Sequence, residues 1–77
     1  KILAKNVQIT HFDIYHSIVF AIGVDGRLYC KPIGENYPFV LYNSDYNDKI
    51  AYLYIYNCTI YITGVNGNTY QSPILLN

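Results

Sequence analysis

His11 and Asp13 stand two residues apart in Ile9-Thr10-His11-Phe12-Asp13-Ile14-Tyr15. If this stretch is a strand, alternation puts both side chains on one face, where an imidazole and a carboxylate can exchange a proton. Catalysis needs more: a convergent nucleophile, or a donor for developing charge. No Ser or Cys is aligned with the pair, and a second, similar segment of the chain carries Tyr52 and Tyr54 at the same places. His11 and Asp13 therefore read as a solvated or sheet-lining pair, and the chain is expected not to be an enzyme.

Other polar groups offer less. Asp45, Asn47 and Asp48 hold oxygens suited to Ca²⁺, but without the ligand spacing and closing Glu of a calcium loop, so they read as a polar connection. No metal and no cofactor is expected. Cys30 and Cys58 do not form a Cys-x-x-Cys pair, and both are expected to be buried, inert thiols, which favours a reducing compartment. Asn57-Cys58-Thr59 matches a glycosylation sequon at an expected strand start and, with no secretion signal in view, reads as a chance match. The strongest binding signal is Tyr52, Tyr54 and Tyr56, a stripe on one strand face. Tyr supplies large contact area, low entropy cost and a polar tip. With His11 and Asp13 these tyrosines form the expected contact surface. Packing between sheets is the competing explanation of the stripe.

What must position these residues is a duplicated unit. Residues 1–36 align without a gap on residues 42–77 at an offset of 41, with identity at Ile9/Ile50, Ile14/Ile55, Tyr15/Tyr56, Gly23/Gly64, Gly26/Gly67 and Pro32/Pro73 among others. A period of roughly 40 residues built from strands is that of a propeller blade, and one such unit cannot bury its own apolar face. The expected fold is all-β: two propeller-like blades of antiparallel strands, residues 1–41 and 42–77, forming one small domain or a fragment of a larger propeller. The start at Lys1 rather than Met is expected of a processed or excised piece.

Helical periodicity is missing, and β-branched and aromatic residues cluster in short runs bounded by Gly, Asn, Asp and Pro. The first strand of each unit is expected at about 7–15 and 49–56. Phe12 and Ile14, like Ala51, Leu53 and Ile55, hold an aliphatic face, and His11, Asp13 and Tyr15 hold a partly wet one. The second strand, at about 17–23 and 58–64, is apolar on both faces and expected to lie inside its sheet. Asp25-Gly26 and Asn66-Gly67 predict type I′ hairpin turns. Third strands follow at about 28–31 and 69–72 and end at Pro32 and Pro73. Residues 38–43 form a fourth strand with no match in the second unit.

Composition sets the remaining bounds. Of 77 residues, 52% are hydrophobic and 13% charged, about half the usual charged share of roughly 25%. Such a small body cannot hide so much apolar surface, so part of it should meet another copy or another protein. The net charge is +0 and the basic residues are scattered, which argues against binding nucleic acid. No run approaches the ~18 apolar residues of a membrane span.

The segment Tyr15–Cys30, YHSIVFAIGVDGRLYC, resembles the core of repeats in RCC1-like (regulator of chromosome condensation) β-propellers, where an apolar strand leads into an Asp-Gly turn and then an aromatic. Lys31-Pro32-Ile33 stands where that family has a Trp-Gly and glycine-rich tract. The resemblance covers about half the chain and implies an interaction platform. The length and tyrosines are also similar to small lectins that close rings from two-blade chains, although the tryptophans of those lectins are missing. The expected function is thus a non-enzymatic β-repeat scaffold that binds a protein partner or copies of itself, the alternative being an oligomeric carbohydrate-binding lectin.

Overall fold

The computed structural model describes residues 3–4, 8–34, 36–43 and 48–74. They form eight strands: β1 (Leu3–Ala4), β2 (Ile9–Tyr15), β3 (Ile18–Gly23), β4 (Leu28–Pro32), β5 (Phe39–Asn43), β6 (Ile50–Tyr56), β7 (Thr59–Gly64) and β8 (Thr69–Pro73). All pairings are antiparallel. One sheet has the order β1-β5-β4-β3-β2, and the other β6-β7-β8. The protein is all-β in its described residues, as the short β-branched runs require. The two-residue β1, which pairs with β5, was not expected from the sequence.

The two sheets share one register. Ile9 pairs with Gly23 and His11 with Ile22 across a bulge, and then each residue pairs in step as far as Tyr15 with Ile18. Ile50 with Gly64, Tyr52 with Thr63 and Tyr56 with Thr59 occur 41 residues later, with the bulge at the same place. The next ladder also coincides, from Ile18 with Pro32 to Ile22 with Leu28 and from Thr59 with Pro73 to Thr63 with Thr69. Bonds outside the ladders agree too: Val24 N–H donates to Gln8 C=O at 2.9 Å and Val65 N–H to Lys49 C=O at 2.8 Å.

Turn chemistry differs from the sequence expectation. The type I′ conformation, which needs positive φ at both central residues, lies in the β2–β3 and β6–β7 turns: His16 and Ser17 at 48° and 66°, Asn57 and Cys58 at 52° and 62°. In the Asp-Gly and Asn-Gly turns only the glycines take positive φ. Gly26 N–H donates to Gly23 C=O at 2.9 Å, and Gly67 N–H to Gly64 C=O at 3.0 Å. These are three-residue hairpin loops closed by a left-handed glycine, because the extra residue absorbs the twist that a two-residue loop would place on two positive φ angles.

The core lies between the sheets. Phe20, Ile22 and Leu28 from the first meet Ile50, Ile60, Ile62 and Ile74 from the second, flanked by Tyr15, Ile18, Cys30, Tyr42, Leu53, Ile55 and Tyr70. Fully burying such a side chain contributes roughly 1.5–3 kcal/mol. Tyr42 sets its ring edge-on to Phe20 at 5.1 Å.

This arrangement corrects the expected faces of β2. Phe12 and Ile14 are 65% and 48% exposed, while Asp13 and Tyr15 are half-buried toward the second sheet. In β6 the opposite holds: Leu53 and Ile55 turn inward, and Tyr52, Tyr54 and Tyr56 are exposed. The reason is the partner row on the neighbouring strand. Phe20 and Ile22 offer more apolar surface than Val19 and Ala21, so the first sheet buries the Phe20 face and β2 follows its register.

Candidate functional site

β6 is an edge strand, and alternate backbone groups of such a strand point away from its only neighbour. Its Ile55 N–H donates to Asp13 Oδ2 at 3.3 Å, so the carboxylate caps the edge of the second sheet from the first. Asp13 Oδ1 accepts from the backbone N–H of Ile14 at 2.8 Å. His11 is exposed and sets its ring edge-on to Tyr52, with centroids 5.2 Å apart. Among the described residues no hydrogen bond joins His11 to Asp13. The structure brings His11 to the tyrosine stripe and places Asp13 in the junction between the sheets.

Tyr15, the next inward residue of β2, donates its hydroxyl to Cys58 Sγ at 2.8 Å. That hydrogen bond, and then burial, raises the Tyr15 pKa above its ordinary value. Cys58 is exposed and Cys30 half-buried, both as free thiols, which corrects the expectation of two buried cysteines. Cys58 occupies a left-handed position of the β6–β7 turn. Burial pushes the Cys30 thiol up. Asn57 of the sequon is the other turn residue and is exposed.

Tyr52, Tyr54 and Tyr56 do lie in one exposed row. Around them is a wider surface that sequence reasoning missed. The alternation of β7 and β8 adds Tyr61, Thr63, Thr69 and Gln71 to the same outward face, since Tyr54 pairs with Tyr61 and Tyr61 with Gln71. Tyr54 and Tyr61 stack at 4.9 Å with rings 13° from parallel. Together with Ile62 and Tyr70 these residues, Tyr54 included, line an open groove of about 500 Å³. Aromatic faces beside hydroxyls and one amide make a neutral surface able to stack on a ligand and hydrogen-bond to it.

The opposite end of the molecule presents a different face. Phe12, Ile14 and Ile33 are exposed on the outer side of the first sheet, around buried Ala21 and Tyr29. Tyr29 donates to Asp25 Oδ2 at 2.6 Å, and Asp25 Oδ1 accepts from Arg27 N–H at 3.1 Å, so this tyrosine staples its turn. The bond to Asp25, then burial, raises the Tyr29 pKa. Lys31 Nζ sits 5.4 Å above the Phe39 ring.

A signal for both faces was available in the sequence. Phe20, Ile22 and Leu28 become Tyr61, Thr63 and Thr69 at the offset of 41. A row that is apolar in one unit and polar in the other marks a face buried once and exposed once.

For metal, Asp45 and Asn47 lie outside the described residues. Asp48 accepts from Asn66 N–H at 3.2 Å and from Asn66 Nδ2 at 3.1 Å, which holds the β7–β8 turn. Among the described residues no three His, Cys, Asp or Glu side chains gather as metal ligands, and no helix is long and apolar enough to cross a membrane. Set against known protein families, curated proteins and solved structures, the chain matches none of them.

Proposed function

We propose that this protein is a non-enzymatic β-scaffold whose two sheets, β1–β5 and β6–β8, act as successive propeller-like blades and whose outward faces bind protein. One observation carries the reading. The two sheets have the same register yet turn opposite faces to each other, so they stack front to back, and among the described residues each keeps exposed side chains on its outer side, Phe12 and Ile14 on the first and Tyr54 and Tyr56 on the second. Blades of a propeller stack in this way, and the likeness of residues 15–30 to RCC1-like repeats fits the same geometry. The exposed Phe12, Ile14, Tyr54 and Tyr56 are the side chains a protein interface favours.

The stacked Tyr54–Tyr61 pair in its groove favours a second reading, a carbohydrate-binding face, since a flat aromatic platform beside hydroxyls suits a sugar ring. A photo-crosslinking phenylalanine analogue placed at position 12 or 54 of the full chain in cells separates the two. Protein adducts specific to these positions support the scaffold. Binding on a glycan array that is lost in Tyr54→Ala, with no protein adduct at either position, overturns it in favour of the lectin.

A further inference from the structure

The two outer faces correspond to the two halves of the junction the molecule already contains. The face of the second sheet packed on the first carries Leu53, Ile55, Ile60, Ile62 and Ile74. At the offset of 41 these are Phe12, Ile14, Val19, Ala21 and Ile33 on the outer side of the first sheet, where Phe12, Ile14 and Ile33 are exposed, Val19 is half-buried and Ala21 is buried beneath them. The face of the first sheet that receives them carries Asp13, Tyr15, Phe20 and Ile22. Its counterpart is Tyr54, Tyr56, Tyr61 and Thr63, the outer face of the second sheet.

The backbone repeats the same logic. Gly26 C=O accepts from Ile50 N–H at 2.9 Å across the internal junction. A Cβ placed on Gly26 would lie 2.6 Å from Lys49 Cβ, so the second sheet closes over this turn. Its counterpart Gly67 has a similar positive φ and, among the described residues, nothing within 4 Å of where a Cβ would be. Among the described residues, the turn that is covered in the first sheet is open in the second.

From this correspondence we infer that a second copy of this chain docks head to tail, its Tyr54–Tyr61 face covering the Phe12–Ile14 face of the first. The inference rests on the blade reading above and names the partner that reading leaves open. In the docked pair Ile9 N–H of one copy takes the place of Ile50 and donates to Gly67 C=O of the other. The contact joins unlike faces, so it propagates: it closes a ring where the rotation per chain permits and otherwise grows as an open stack.

The test uses two variants of the full chain, each with one face blocked: Phe12→Asp/Ile14→Asp, and Tyr54→Asp/Tyr56→Asp. The single changes Ile14→Lys and Tyr54→Lys serve if a double variant does not fold, as judged by circular dichroism. Mass is read by light scattering over a concentration series. The wild type is expected to form multimers and each variant alone to stay monomeric, while their equimolar mixture doubles in mass as a one-to-one dimer. A wild type that is monomeric throughout overturns the inference, as does a mixture that stays monomeric. A Tyr-face variant that dimerises alone overturns it too, because that outcome means like faces meet. Should the wild type be monomeric while a crosslinker at position 12 captures a different protein, the scaffold reading stands and self-docking falls.

Discussion

The three-strand units β2–β4 and β6–β8 are built on one plan and use it in opposite senses. Their strands pair at the same places, with the same bulge and the same glycine turns. Yet Phe20 is buried and its counterpart Tyr61 faces out, while Ile74 is buried and its counterpart Ile33 is exposed. Register fixes which residues share a face but not which face is covered. That is decided by the side of each sheet where the neighbour sits. A sheet with apolar residues on both faces, such as the first, offers either face for packing.

The largest effect that tests the comparison comes from the central row. Phe20→Ala should destabilise the fold by about 3–5 kcal/mol through loss of a fully buried ring. Tyr61→Ala should cost about 1 kcal/mol, chiefly its stacking on Tyr54. Urea unfolding of both variants measures the difference, and equal losses would break the asymmetry. Next is the glycine pair. Gly26→Ala and Gly67→Ala both pay for positive φ, roughly 1 kcal/mol, but only Gly26→Ala also collides with Lys49, so it should be clearly the worse in thermal melts.

The turns give a gain of similar size. His16→Asn with Ser17→Gly supplies residues that accept a type I′ turn and should stabilise the fold by about 1 kcal/mol. In the second turn, where position 57 is already Asn, Cys58→Gly should gain less, because Cys58 also receives the Tyr15 hydroxyl. The smallest effect is at high pH. Tyr29 has a folded pKa raised above 10.0, so its neutral form is favoured by folding. That contribution is complete below pH 10 and is lost as pH rises through the folded pKa. Tyr29→Phe should therefore flatten part of the alkaline loss of stability, read from unfolding curves on either side of pH 10.

Much of this was legible in the sequence. The strands fall within two residues of the runs of Tyr, Ile and Val that mark them, because period-2 alternation and Gly or Pro stops are local signals. Pro32 and Pro73 end their strands as their missing N–H requires. The exposed Tyr52, Tyr54 and Tyr56 were also readable, since β6 has a purely aliphatic opposite face. The partial burial of Asp13 was not. Its reason is the edge N–H of Ile55 in another sheet, a tertiary contact that no local pattern contains. The turns at His16-Ser17 and Asn57-Cys58 escaped because Ser17 and Cys58, the second positive-φ residue of each, are not types that favour positive φ, while the glycine turns beside them gave the stronger and misleading I′ signal. β1 is too short to carry any pattern.

The most direct test of the front-to-back arrangement is thiol labelling in a background free of Cys30 and Cys58, at low protein concentration, with single cysteines at positions 12, 53, 15 and 56. The account predicts fast labelling at 12 and slow at 53, and the reverse order at 15 and 56, slow at 15 and fast at 56. Equal rates within each pair, or the same sheet being slower at both, would contradict it.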